Sequence, residues 1–316
     1  MTAPTAAMEL REAFGEALVD LGERAPLVAV VVAGPAAAAG AERFAHRFAS
    51  RCQDVGPNAS TAIAVAARLA ESGRIVFACA DPVAVTAGAY LAVRDAVAVP
   101  RTAVKIVGVP AYPPARAGGG APAFGDLALM RGLPQLAIAA PADGPSTRAA
   151  VAALHARPGP AYLRLAPGRR PSVTDGTFEF GRAAELRPGH DLTVVALGEE
   201  IAPALELADD LAAVGISTRV LDFASVRPFD EPALLRAARD TGAILVLEEP
   251  SVSGGIGALV AQATAENYPV PVRRVGRPDR AGTPDGVASL PDGPGGGIER
   301  LRDEAWELLR MRGKVQ

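Results

Sequence analysis

The residues best placed to do chemistry lie between Asp54 and Ala70, in the run DVGPNASTAIAVAARLA. Gly56 tolerates backbone angles that other residues avoid, Pro57 fixes one, and Asn58, Ser60 or Thr61 can cap the Ala-rich helix that follows. A loop that enters a helix presents unpaired backbone N–H groups, and α/β proteins often place ligands at such points. The alternative is a loop and a cap with no ligand. Elsewhere chemistry-bearing groups are sparse. The three histidines, His46, His155 and His190, are scattered, and the two cysteines, Cys52 and Cys79, lack metal-ligand spacing and are expected to be small buried hydrophobes.

The elements that must carry this loop alternate. Met8 to Arg24 has helical periodicity, with Leu10, Phe14, Leu18 and Leu21 on one stripe. Leu27 to Ala33 (LVAVVVA) is a continuous apolar strand of the kind buried between two helical layers. Further strands are expected at Arg74 to Cys79, Val104 to Val109, Leu136 to Ala139 and Pro160 to Leu165. Helices are expected at Val83 to Val97, Phe124 to Gly132 and Asp143 to His155, the last started by Pro145, Ser146 and Thr147. The Pro/Gly-rich stretch Pro110 to Ala123 is a surface loop. A second βαβαβα series begins at Asp191 and ends in the amphipathic helix Ile298 to Met311. The fold class is therefore α/β: two domains, residues 1–170 and 191–316, each a mainly parallel sheet covered by helices, joined by a linker over 171–190 with a strand-like TFEF run.

Composition agrees and excludes some partners. Of the 316 residues, 49% are hydrophobic but only 4% aromatic, which favours Ala-rich helices on Val/Ile/Leu strands. With 32 basic and 35 acidic residues the net charge is −3, so no overall field draws the chain to nucleic acid or an anionic membrane. The first residues turn acidic and helical, and no run reaches the roughly 20 apolar residues of a membrane span. A cytoplasmic protein is expected.

The order of motifs resembles the C-terminal half of transketolase, the half made as a separate chain in split transketolases. The resembling segments run from LREAFGEALVDLGE through VG…VAARLA, VKIVG, DLALMRGLP, APAD and GPAYLRL to FASVRPFDEPALL, TGAILVLEE, SGGIG and GRPDRAGT. The resemblance implies that the first domain is of the type that holds the aminopyrimidine of thiamine diphosphate and that the second serves assembly. It implies as well that the diphosphate and Mg²⁺ are held by a separate diphosphate-binding subunit, in an α₂β₂-like assembly. The β chains of 2-oxoacid dehydrogenases and deoxyxylulose phosphate synthase share the resemblance.

Against that family the reactive positions are depleted. The family's VGIAEQ pattern carries a glutamate that bonds the pyrimidine and switches on its internal base, whereas VGPNAS here puts Ala59 at that position, flanked by Asn58 and Ser60. A methyl group cannot do this. The aromatic ring that stacks on the pyrimidine is replaced by Val83, Ala84 and Val85. Substrate-contacting histidines would fall near Val109 to Tyr112 and Gly120 to Pro122, where there are none, and Pro250 stands where a histidine commonly follows two glutamates. Arg164 is retained at the position of an arginine that binds the sugar phosphate, a task suited to its fork of donors; an ion pair with a carboxylate is its alternative. Asp279, Arg280 and Thr283 are expected in a turn that helps assembly.

Two functions follow as expectations: a subunit of a thiamine-dependent, transketolase-like transferase, inactive alone, with pocket positions Asn58, Ser60 and Ala84; or a non-catalytic pseudo-subunit that stabilises a catalytic partner. A third places an apolar or carrier-linked ligand at Tyr112, Arg116 and Phe124.

Overall fold

The computed structural model describes residues 7–110, 125–248, 254–276 and 297–315. The chain forms two compact units that meet in sequence at Phe180 and Gly181.

In the first unit six strands lie in one sheet: β1 Val28–Val32, β2 Cys52–Asp54, β3 Ile75–Ala80, β4 Val104–Gly108, β5 Ala137–Ala139 and β6 Ala161–Arg164. Their spatial order is β5-β6-β4-β3-β1-β2, and every pairing among them is parallel. Strands buried on both faces need continuous apolar runs, and VAVVV in β1 is buried at every position. The helix α1 (Leu10–Arg24) lays Leu10, Phe14, Leu18 and Leu21 into the core, with the Phe14 ring 6.3 Å from that of Phe77. Gly15 is required there, because a Cβ would sit 2.3 Å from the carbonyl oxygen of Gly40. After the short α2 (Glu42–Arg47), Arg51 donates to the carbonyls of Gly22 and Ala25 and lies 4.0 Å over the Phe48 ring, closing the end of α1.

The helices that follow the strands are α3 (Ala59–Glu71), α4 (Tyr90–Val93), α5 (Asp126–Arg131) and α6 (Gly144–Ala156). The expected single helix over 83–97 is interrupted at Ala89 (φ −109, ψ 16), and wide π-type turns at Ala84–Gly88 and Arg94–Ala98 flank α4. Asp143 caps α6 through Ser146 N at 2.9 Å, and its second oxygen accepts the N–H groups of Val173 and Thr174, each at 2.7 Å. Phe178 and Phe180 then stack edge to face at 5.0 Å against this core. The TFEF run expected to be strand-like is an irregular segment held by these contacts. Cys79 is buried as expected, while Cys52, at the sheet edge, is only half-buried.

Lys105 in β4 is fully buried, with Nζ donating to the carbonyls of Arg157 at 2.7 Å and Gly159 at 2.5 Å. Burial, with the nearby Arg157 charge, pulls its pKa down to about 8.

The second unit holds β7 Ala184–Arg187, β8 Leu192–Ala196, β9 Thr218–Asp222, β10 Ile244–Leu247 and β11 Val272–Val275 in the order β11-β10-β8-β9-β7. All pairings are parallel except that of β7 with β9. Its helices are α7 (Ile201–Ala212), α8 (Glu231–Thr241), α9 (Ile256–Asn267) and α10 (Gly297–Val315). Asp230 caps α8 through Ala233 N at 3.0 Å, and Gly242 ends it at φ +66, a left-handed angle that favours glycine. Both sheets are mainly parallel and covered by helices, as the sequence leads one to expect. Among the described residues no helix is long and apolar enough to cross a membrane.

Candidate functional site

In a parallel α/β sheet, ligands meet the chain beyond the carboxyl ends of the strands. Register places these ends in the first unit: Val32 lies opposite Asp54 and Cys79, Ala80 opposite Gly108, and Gly108 opposite Arg164. The Gly-Pro-Asn loop leaves β2 on this rim, with Gly56 at φ +76 and its N–H bonded to Asp54 Oδ1 at 2.9 Å. Asn58 is the N-cap of α3, its side-chain oxygen accepting Thr61 N at 3.0 Å. Ala59 opens the helix and is buried, Ser60 is half-buried, and α3 packs against the turn that begins at Ala84. From the end of β3, Asp81 accepts Val83 N at 2.9 Å and Ala84 N at 3.3 Å. Three of the expected pocket positions, Asn58, Ser60 and Ala84, are thus at the first turns of two helical segments that pack together. None brings an acid to Ala59.

Arg164 sits at the end of β6, only 8% exposed, with Nε 3.2 Å from Asp126 Oδ2. The same oxygen accepts the Tyr162 hydroxyl at 2.9 Å. Asp126 is completely buried at the start of α5, and its Oδ1 has no hydrogen-bond partner among the described residues. Burial first, and then the Asp126 charge, push the Tyr162 hydroxyl well above its ordinary range, so the phenol stays protonated and donates. Gly108 makes room for it, since a Cβ there would lie 2.4 Å from the hydroxyl.

Asp126 and Tyr162 are the functional-site residues that sequence reasoning passed over. Asp126 read as the first turn of a short helix and Tyr162 as one more core residue; Tyr162 stands two residues before Arg164 on β6, and only the packing of the start of α5 against the end of that strand brings Asp126 to both. Tyr112, Arg116 and Phe124, the loop positions from 111 to 122, Pro250, and Asp279, Arg280 and Thr283 lie outside the described residues. In the second unit Glu248 is buried and accepts Gly257 N at 3.0 Å, a bond at the start of α9. Among the described residues no group of three or more His, Cys, Asp or Glu side chains is arranged to hold a metal ion.

The rim therefore offers a capped helix start without a carboxylate and a buried arginine–carboxylate–tyrosine cluster. Thiamine diphosphate, as the resemblance implies it, would find no acid at Ala59 for its pyrimidine, and Asn58 already spends its carboxamide oxygen on the cap. The residues present do not fit that part of the coenzyme.

Comparison with known proteins gives the setting. Residues 181–290 match the family model for the transketolase C-terminal domain. The chain is 36% identical, over 84% of its length and 84% of the relative's, to the 6-deoxy-6-sulfo-D-fructose transketolase subunit SqwH of Clostridium sp. (strain MSTE9). It is 34% identical to one of the subunits of the apulose-4-phosphate transketolase of Phocaeicola vulgatus, over 85% of this chain and 87% of that one. Among solved structures, a split-gene transketolase described as an inactive β4 tetramer superposes with a TM-score of 0.85 at 37% identity, covering 97% of this chain and 100% of that one. Transketolases generally use thiamine diphosphate. With transketolase subunits matched over more than four-fifths of both chains at 34–37% identity, the chain belongs to the transketolase family.

Proposed function

We propose that the chain is one subunit of a two-chain, thiamine-diphosphate-dependent, transketolase-like enzyme that transfers a two-carbon ketol unit. A separate subunit holds the diphosphate and Mg²⁺, and the two kinds of chain join in an α₂β₂-like assembly. What carries this reading is the match of 84–97% of the chain, and of 84–100% of theirs, to separately made transketolase subunits. The first unit serves as the pyrimidine-binding-type domain and the second as the transketolase C-terminal-type domain. In this reading Arg164, at the carboxyl end of β6, faces the far end of the sugar, and Asn58, Ser60 and Ala84 line the pyrimidine side.

The chain alone is inactive in this reading. Ala59 supplies no carboxylate to the pyrimidine, and loss of a group that relays protons or stabilises charge typically costs orders of magnitude in rate. The coenzyme supplies the carbanion chemistry; this chain supplies the walls and the substrate end.

Ala59 also favours a second reading, a pseudo-subunit whose intact core stabilises a catalytic partner. Mixing the chain with its diphosphate-binding subunit, thiamine diphosphate and Mg²⁺, and following two-carbon transfer from a ketose to an aldehyde, separates the two. Turnover with these components supports the first reading. Turnover only when another pyrimidine-domain chain carrying the glutamate is added makes this chain a scaffold.

A further inference from the structure

The charge balance at the ends of β4 and β6 bears on which substrate the site takes, given the reading above that the sugar's far end reaches Arg164. Asp126 cannot swing away from that arginine, because it is completely buried and Oδ2 is fixed both by the Tyr162 hydroxyl at 2.9 Å and by Arg164 Nε at 3.2 Å. Tyr162 is in turn held by β6 and by the space that Gly108 leaves. The guanidinium thus has a counter-charge built into the fold. Asp81, exposed at the end of β3, adds a second carboxylate to the same rim. Among the described residues, an arginine already paired with a buried carboxylate is a poor receptor for a phosphate monoester, which carries about −1.5 to −2 at pH 7. A hydroxyl end, or a single charge such as a sulfonate, meets far less repulsion.

We propose that Asp126 is a specificity-determining residue: by neutralising Arg164 it makes this subsite select a sugar whose far end carries at most one negative charge over the corresponding phosphate ester. The test titrates inorganic phosphate into the full-length chain, as wild type and as Asp126→Asn, Arg164→Met and the double variant. Asp126→Asn should bind phosphate on the order of tenfold more tightly than wild type, and the gain should vanish when Arg164→Met is added. The proposal is overturned if wild type binds phosphate as tightly as Asp126→Asn and loses it with Arg164→Met, or if Asp126→Asn gains nothing. Should Asp126→Asn fail to fold, the wild-type two-chain enzyme decides: a higher kcat/KM for an unphosphorylated ketose than for its phosphate supports the proposal, and the reverse order, abolished by Arg164→Met, overturns it. Phosphate titration needs neither coenzyme nor partner, so its failure leaves the subunit assignment standing, whereas absence of two-carbon transfer would fail that assignment alone.

Discussion

The side-chain oxygen of Asn58 accepts the backbone N–H of Thr61 at 3.0 Å, which makes Ala59 the first residue of the helix that rises from the rim of the sheet. A carboxylate at position 59 would sit in the first turn, where a helix favours negative charge. The helix start is built; the acid is missing.

Replacing the cap tests the first half of that statement. Asn58→Ala leaves an orphan N–H on α3 and should cost about 1 kcal/mol of unfolding free energy, measured by denaturant titration, while Asn58→Asp should cost little.

Replacing the missing group tests the second. Ala59→Glu should raise two-carbon transfer by the reconstituted two-chain enzyme by about 10²-fold or more, with the thermal midpoint changed far less than the rate.

The buried cluster at the end of β6 should matter to folding as well as to recognition. Tyr162→Phe removes the hydroxyl donor from a completely buried carboxylate and should destabilise the chain by about 2 kcal/mol in denaturant titration.

Lys105 gives a dependence on pH whose sign is fixed. Its pKa in the fold is about 8, below the ordinary 10.5, so the folded state disfavours the charged amine. Below pH 8 the amine is charged in both states and the penalty is fully present; between about 8 and 10.5 the unfolded chain binds more protons and the penalty is relieved. The stability of wild type relative to Lys105→Met should therefore rise across that interval, by up to about 3 kcal/mol, in chemical denaturation at fixed pH values. A difference that stays flat or falls would contradict it.

Asp143 gives a dependence of the same sign at low pH, because here the fold favours the charged form. Burial alone would raise its pKa, but the hydrogen bonds from Ser146, Thr174 and Val173 outweigh burial and hold the carboxyl below its usual value. The stability it contributes is present above the unfolded value of about 3.9 and is lost as the pH falls through the lower folded value. The stability gap between wild type and Asp143→Asn should narrow below about pH 4.

What the sequence made legible was whatever repeats along the chain. Largely apolar runs such as VAVVV and LTVVA announce doubly covered strands, and both proved fully buried, the one polar residue, Thr193, with its hydroxyl paired to that of Thr241. The edge strand Ala184–Arg187 escaped, because half-buried AELR carries no apolar run, and TFEF misled because two aromatic residues in alternation suit an irregular segment packed on a core as well as a strand. Ala59 was legible as an absence at a helix start. The Asp126–Arg164 pair was not, because its members are 38 residues apart and meet only through α5 and the end of β6.

The most direct measurement is a calorimetric titration of thiamine diphosphate with Mg²⁺ into the isolated chain and into the chain joined to its diphosphate-binding subunit. No heat of binding to the isolated chain, followed by binding and two-carbon transfer once the partner is present, is the expected result. Tight binding of the coenzyme, or turnover, by the isolated chain would contradict the claim that it is the half of a transketolase that lacks the acid for the pyrimidine.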